Sequence, residues 1–235
     1  MPNVFIISAP SGSGKSTLVN EVRRIVPGLD FSVSYTTRAP RGSEQEGREY
    51  FFTSREQFEK MIKQDEFLEY ATVFGNYYGT ARRFLKEAEE HHHDLLLDID
   101  VQGAEQIKKK LTKAVSIFIL PPNRQKLEWR LRSRGLDAED VIQRRLVTAS
   151  REIENYSKYD YILVNDRLEE SVEALKAILL GERLLRSGKE KSAEDNKVIA
   201  KMECCRFAKM RNRVQSILDS FRQPPDDLNG RGGTQ

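Results

Sequence analysis

The chain has 235 residues, a formal net charge of +3 and a mean hydropathy of −0.61, and it can bury a substantial core as one domain or as a core with inserted subdomains. This composition excludes a fibrous protein, and no apolar run is long enough to span a bilayer. The cysteines Cys204 and Cys205 are adjacent, a spacing that excludes a disulfide framework and a cysteine-based metal site.

The first predicted elements are a strand over Val4–Ser8, a glycine-rich loop and a helix. The loop reads Ala9-Pro10-Ser11-Gly12-Ser13-Gly14-Lys15-Ser16, followed by Thr17. Strand, loop and helix in this order are typical of a phosphate-binding loop, although a chance Gly/Ser turn is the alternative. Backbone amides hold phosphate oxygens, Lys15 reaches the β- and γ-phosphates, and Ser16 can ligate Mg²⁺. We therefore predict a nucleoside triphosphate site over residues 9–17. The strict motif has Gly at position 9, so Ala9 fits only if its φ is negative.

Residues 31–80 predict an inserted subdomain of mixed strands and helix. Apolar and serine residues alternate over 31–35, further strands are expected over 50–52 and 67–73, and Ser54 with Gln57 forms a capping box that begins a short helix.

After the insert, buried strands alternate with helices, which predicts a parallel α/β sheet flanked by helices. The strands are expected over Leu95–Ile99, Val115–Leu120 and Tyr161–Val164. Asp98 and Asp100 then lie at the carboxyl end of a strand, where α/β sheets bind ligands. They can orient magnesium waters, basic side chains or a substrate base, and helix capping by Asp100 is the alternative.

His91, His92 and His93 precede the first of these strands. A metal site is disfavoured, because consecutive histidines on a helix point in different directions and no carboxylate site lies nearby in sequence. We expect them to interact with the helix C-terminus.

Residues 124–152 predict an arginine-rich helical pair joined at Gly135, and a helix with apolar residues from Leu168 to Leu179 follows the last strand. Residues 182–222 carry the excess positive charge outside this core, so we expect no nucleic-acid partner. The apolar stripe from Phe207 to Phe221 can dock on the body, pair with another subunit or form transiently. We predict self-association, a homo-oligomer, and disorder over 223–235.

Arg38, Arg41, Tyr50 and Tyr78 suggest what accepts the phosphoryl group. Arginine forks and phenol hydroxyls together suit a phosphate monoester. A phosphate acceptor is its own anionic nucleophile and needs no protein base, unlike a hydroxyl acceptor.

With these residues in place, the chain closely resembles guanylate kinase over about residues 3–181. The matching blocks are the loop at 9–16, Ser34-Tyr-Thr-Thr-Arg-Ala-Pro-Arg41, Gly47-Arg-Glu-Tyr50, Glu66-Phe-Leu-Glu-Tyr70, Gly75-Asn-Tyr-Tyr-Gly-Thr80, Leu97-Asp-Ile-Asp-Val-Gln-Gly103 and Val164-Asn-Asp166. The resemblance implies a core of 3–30, 81–123 and 153–181, a GMP-binding insert of 31–80 and a mobile lid of 124–152. It also implies ATP-dependent, Mg²⁺-assisted phosphorylation of GMP, and of dGMP. Because the first residues lack the basic region of a signal peptide and no apolar run could span a bilayer, we expect a cytoplasmic location without a membrane partner.

The resemblance assigns roles residue by residue. The GMP phosphate falls to Arg38, Arg41, Tyr50 and Tyr78, the guanine to Ser34, Glu69, Thr80 and Asp100, and the acceptor side of the site to Asp98. The ATP phosphates fall to Lys15, Arg130, Arg134 and Arg145, and adenine to Asn165. Three alternatives stay open: a non-catalytic module of the same fold, a GTPase switch, and a monophosphate kinase with another base preference. Intact loop residues disfavour the first, and the absence of Asn-Lys-x-Asp disfavours the second.

Overall fold

The computed structural model describes residues 2–73, 75–133, 135 and 138–222. The strands are β1 (Val4–Ser8), β2 (Leu29–Ser32), β3 (Tyr35–Thr36), β4 (Phe51–Phe52), β5 (Phe67–Val73), β6 (Asn76–Ala81), β7 (Asp94–Asp98), β8 (Val115–Leu120) and β9 (Tyr161–Val164). The helices are α1 (Lys15–Ile25), α2 (Arg55–Lys63), α3 (Arg83–His91), α4 (Val101–Lys110), α5 (Arg124–Ser133), α6 (Glu139–Ile153), α7 (Leu168–Arg186), α8 (Ala193–Cys204) and α9 (Phe207–Arg222), with a 3₁₀ helix over Glu154–Lys158. Among the described helices, none is long and apolar enough to cross a membrane.

Five parallel strands form the core sheet in the order β2-β7-β1-β8-β9. The predicted α/β fold with helices on both faces is confirmed. Leu18, Val22 and Ile178 from α1 and α7 cover one face, and Ile107 of α4 belongs to the apolar cluster on the other. Because both faces are covered, β1 and β8 are buried along their whole length, which explains their uninterrupted apolar sequences.

Strand β2 is the fifth strand, which the sequence did not separate from the insert. It pairs in parallel with β7, Phe31 opposite Leu96, so the expected boundary between residues 30 and 31 falls inside a core strand. The chain enters the insert only after Ser32. An edge strand of four residues has too short a pattern for its sheet to be assigned from sequence.

The insert contains a four-stranded sheet in the order β4-β3-β6-β5 and helix α2. Ser54 caps α2 as expected, because its hydroxyl accepts a hydrogen bond of 3.1 Å from the Gln57 amide. Phe58 of α2 stacks on Phe67 of β5, with ring centroids 4.4 Å apart. This aromatic contact holds the helix against the insert sheet.

The C-terminal stripe docks on its own chain. Val214, Ile217 and Leu218 of α9 are buried in the core cluster under the sheet, and Phe221 packs against the cluster formed by α5 and α6. Helix α8 buries Met202 beside α7, which runs past residue 181 to Arg186. The reason for predicting self-association through this stripe was therefore wrong, because the stripe is already covered. The predicted disordered segment 223–235 lies outside the described residues.

Candidate active site

The loop after β1 has the backbone that phosphate binding requires. Gly12 and Gly14 have φ values of 90° and 85°, and Gly14 is the N-cap of α1, so the amides of the first helical turn point into the loop. A Cβ at Gly14 would lie 2.4 Å from Asn165 Nδ2, so glycine is required there for space as well as for conformation.

Ala9 fits without strain. The described non-glycine residues with positive φ are Asp65 and His92, so the backbone at Ala9 lies outside the left-handed region. Its methyl group packs against the core cluster of α1 and β1. The loop's departure from the strict motif thus has no conformational cost.

Lys15 and Asp98 form an ion pair at the carboxyl edge of the sheet. Strands β1 and β7 are neighbours, with Ile7 opposite Asp98, so the loop and the carboxylate meet where the strands end. Ser16 and Thr17 are exposed on the first turn of α1, and neither hydroxyl forms a hydrogen bond with the described chain. Both remain available to a ligand.

Asn165 and Arg130 brace the loop from the lid side. The Asn165 side-chain amide donates to the Ser13 carbonyl at 2.8 Å, and Arg130 donates to the Asn165 carbonyl at 2.9 Å. Asn165 is only 5% exposed, so it supports the loop and has little surface left for the predicted contact with adenine.

The two lid helices pack over the loop. Leu127 and Leu131 of α5 lie within 3 Å of where a Gly12 Cβ would stand, and both belong to the cluster shared with α6. Arg145 is half-buried on α6. Arg134, predicted as its partner, lies outside the described residues.

The predicted phosphate-acceptor group is assembled in the insert. Arg38 Nε donates to the Tyr78 hydroxyl at 3.2 Å, and the Tyr50 and Tyr78 rings are 5.8 Å apart. Burial raises the pKa of Tyr50 to about 12, and the negative charge of Asp98 adds to that effect. The Tyr50 phenol of the insert is therefore within electrostatic range of Asp98, the carboxylate beside the phosphate loop.

Glu44 is also part of this group, and no sequence pattern predicted it. Arg38 Nη2 donates to both oxygens of the Glu44 carboxylate at 2.9 Å, and that carboxylate also accepts from the Arg41 amide at 2.8 Å. The Arg41 guanidinium is exposed and has no hydrogen bond or ion pair within the described chain. Glu44 thus occupies one guanidinium nitrogen with which Arg38 would bind a phosphate.

Glu69 of β5 is buried and 3% exposed, and it accepts a 2.7 Å hydrogen bond from the Thr80 hydroxyl of β6. Burial raises the pKa of Glu69 to about 7; the Thr80 bond opposes this shift and the Asp100 charge adds to it. Thr80 was predicted to donate a hydrogen bond to guanine O6. Its hydroxyl already donates to Glu69, so it cannot also donate to the guanine. The half-buried Ser34 hydroxyl, which has no hydrogen-bond partner in the described chain, is the available donor.

Asp100 is a helix cap, the alternative role considered from sequence. Its Oδ1 accepts a 2.8 Å hydrogen bond from the Gly103 amide at the start of α4. A Cβ on Gly103 would lie 2.4 Å from Glu69 Oε2, so this turn of α4 presses directly on the buried carboxylate.

Glu152 is a second carboxyl that the sequence analysis missed. Glu152 lies in the last turn of α6, close to Ser11 and Lys15. Its Oε2 is buried and has no hydrogen bond to the described residues. Burial raises its pKa to about 7, while the Ser11 amide and Lys15 oppose the shift. A single Glu among helical arginines carries no sequence signal of such burial.

Comparison with known proteins gives a consistent result. A family model described as guanylate kinase matches residues 1–182. A guanylate kinase of Koribacter versatilis is 60% identical over 226 residues, 95% of this chain and 97% of that protein. The Escherichia coli K12 guanylate kinase is 46% identical over 194 residues, 82% and 93% of the two chains. The crystal structure of an Anaplasma phagocytophilum guanylate kinase superposes with a TM-score of 0.62 at 31% identity, covering 92% and 94%.

Proposed function

This chain belongs to the guanylate kinase family, and we propose on that basis that it transfers the terminal phosphoryl group of ATP to GMP, and to dGMP, through the residues described above. The observation that carries the proposal is the closeness of two clusters. The negative charge of Asp98 helps to raise the pKa of Tyr50 in the acceptor group. The same carboxylate forms an ion pair with Lys15 of the phosphate loop. A phosphate on Arg38 and Tyr78 would therefore face a triphosphate on the loop.

In this account the protein positions reactants and supplies positive charge. The loop amides and Lys15 hold the ATP phosphates. Arg38 exchanges Glu44 for the GMP phosphate and keeps it in line, while Arg41, Tyr50 and Tyr78 complete the phosphate site. The attacking oxygen is already ionised, so no side chain removes a proton.

The lid arginines neutralise charge that develops during transfer. Arg130 and Arg145 have this role in our proposal, and Arg134 shares it by its place in the sequence. Loss of one such arginine typically costs about 10³-fold or more in rate. Removal of water by the closed lid strengthens every one of these interactions.

Base selection follows from the buried carboxylate. Ionised Glu69 accepts hydrogen bonds from the N1-H and N2 amino group of guanine, and Ser34 donates to O6. Adenine presents no donor at N1 and would leave Glu69 buried without a partner, which is costly.

The residues beside the loop fit a magnesium ion. Ser16 has a free hydroxyl, and the Asp98 carboxylate stands at the neighbouring strand end, a hard oxygen donor set of the kind Mg²⁺ prefers. We propose that these residues hold Mg²⁺ directly or through water, where it would offset phosphate charge. We also place the reaction in the cytoplasm, with which the two free thiols Cys204 and Cys205 are compatible.

The test is to identify both products. The full chain with ATP, Mg²⁺ and GMP should form ADP and GDP in equal amounts, and Lys15→Met should abolish both. Formation of ADP without GDP would refute the proposal, because the chain would then be hydrolysing ATP.

A further inference from the structure

A cluster far from the active site brings three metal-binding side chains together. His91 Nδ1 lies 2.7 Å from Asp30 Oδ2, and His93 Nδ1 lies 2.8 Å from Asp30 Oδ1. All three ligand atoms are within 4.8 Å of one another. They come from β2, the end of α3 and the residue before β7, so residues 61 and 63 positions apart converge on one carboxylate.

The backbone explains this convergence. Helix α3 ends at His91, and His92 adopts the left-handed conformation with φ 56°. The amides of His92 and His93 close the turn on Glu89 and Ala88. This reversal puts the first and third histidines on the same side, with ring centroids 5.6 Å apart. The sequence-based expectation that these histidines point in different directions is wrong for His91 and His93, because the chain leaves the helix at His92. The carboxylate between them, Asp30, is distant in sequence.

We propose that Asp30, His91 and His93 bind one divalent transition-metal ion of borderline softness, such as Zn²⁺. Two imidazole nitrogens and a carboxylate oxygen are the donors such ions select. Tetrahedral ligands with bonds of about 2.0–2.1 Å lie roughly 3.3 Å apart. The two histidine–aspartate separations would open by about half an ångström, and the three donor atoms, all within 4.8 Å of one another, would be drawn around the ion by small side-chain rotations.

The surroundings are compatible with a cation. Glu87 and Glu90 also lie near His91, where exposed ion pairs with Arg83 and Lys86 offset part of their negative charge. Arg183 lies near Gly28, as does His93. Its guanidinium donates hydrogen bonds to Asp94 and to the carbonyls of residues 27 and 28, which hold its positive charge there. The His91 and His93 side chains are 58% and 41% exposed, which leaves the remaining coordination positions open to water.

The site is separate from catalysis. It lies at the amino ends of β2 and β7, whereas the phosphate loop and Asp98 lie at the carboxyl ends of the sheet. A bound ion would tie the edge strand to α3 and β7, and so would stabilise the fold by mass action.

The experiment is calorimetric titration of Zn²⁺ into the full chain without an affinity tag, because a polyhistidine tag binds the same ions. The titration buffer contains excess Mg²⁺, which occupies sites made only of oxygen ligands and so keeps Zn²⁺ from binding there. We expect one Zn²⁺ per chain, and a rise in Tm on addition of Zn²⁺. Absence of stoichiometric binding would overturn the proposal.

Matched variants locate the ion. Asp30→Asn and His93→Gln should each weaken Zn²⁺ binding about 10- to 100-fold or more, whereas His92→Gln should leave it unchanged. Co²⁺ absorption gives a second readout, since thiolate ligation adds a near-ultraviolet band. Unchanged affinity in Asp30→Asn, or a thiolate band from Cys204 or Cys205, would contradict the assignment.

Discussion

Thr80 Oγ1 lies 2.7 Å from Glu69 Oε1, inside a buried part of the insert where no other side chain hydrogen-bonds Glu69 within the described chain. The pKa of Glu69 is raised to about 7 by burial, so near neutral pH about half of the free protein carries a protonated carboxyl. In the proposed function, guanine binds the ionised form of Glu69.

We therefore predict that GMP affinity falls as the pH drops below 7, approaching about tenfold per pH unit. Stability has the opposite dependence: a carboxyl whose pKa is raised by folding destabilises the free protein as the pH rises from the unfolded value through 7. GMP titrations from pH 6 to pH 8 with urea unfolding over the same range measure both. Glu69→Gln should remove the contribution of this carboxyl to both dependences. Glu152→Gln should leave the GMP dependence in place and remove only the contribution of Glu152 to stability, since its pKa is also raised to about 7.

Gly103→Ala should weaken GMP binding selectively. The added Cβ favours helix α4 by about 1 kcal/mol but meets Glu69 Oε2 at 2.4 Å, so the carboxylate must move. We expect KM for GMP to rise about 10- to 100-fold while KM for ATP is unchanged. Gly181→Ala is the control, because its Cβ meets the flexible Met202 side chain. Equal GMP kinetics in wild type and Gly103→Ala would refute this positioning role.

Arg38→Lys should raise KM for GMP about 10- to 100-fold, because lysine cannot form the two-pronged contact that a phosphate needs. Tyr78→Phe should have a smaller effect. Arg55→Lys is a matched control, since Arg55 makes analogous contacts with Glu59 and Tyr77 on the other side of the insert. If the Arg38 and Arg55 variants behaved alike, Arg38 would not be a phosphate ligand.

Ile217→Ala should lower the free energy of unfolding by about 2–4 kcal/mol, because Ile217 is buried between α9 and the core. The molar mass in solution should not change. Val147→Ala, at a 55% exposed position, should have little effect. A change in molar mass with unchanged stability would restore the subunit-pairing explanation of the α9 stripe.

The phosphate loop could be predicted from sequence because its chemistry is local. Gly12, Gly14 and Lys15 act through their own backbone and the helix that follows them, so the motif contains its structural context. The strands β1, β8 and β9 were likewise predictable, because burial on both faces leaves a continuous apolar run.

Other features depend on partners distant in sequence. The hydrogen bond from Thr80 to Glu69 and the burial of Glu152 arise only when separate elements pack together. The ion pair of Arg38 with Glu44 depends on the fold of the loop between them. Asp30 and His93 are 63 residues apart, and their meeting depends on the pairing of β2 with β7 and on one left-handed residue. No spacing rule along the chain contains that information.

The most direct test of the central claim compares kcat/KM for GMP, IMP and AMP with saturating ATP and Mg²⁺. A site built on Glu69 predicts GMP over AMP by roughly 10⁴-fold or more. IMP, which keeps N1-H but lacks the N2 amino group, should fall between them. Use of AMP as efficiently as GMP would contradict the account.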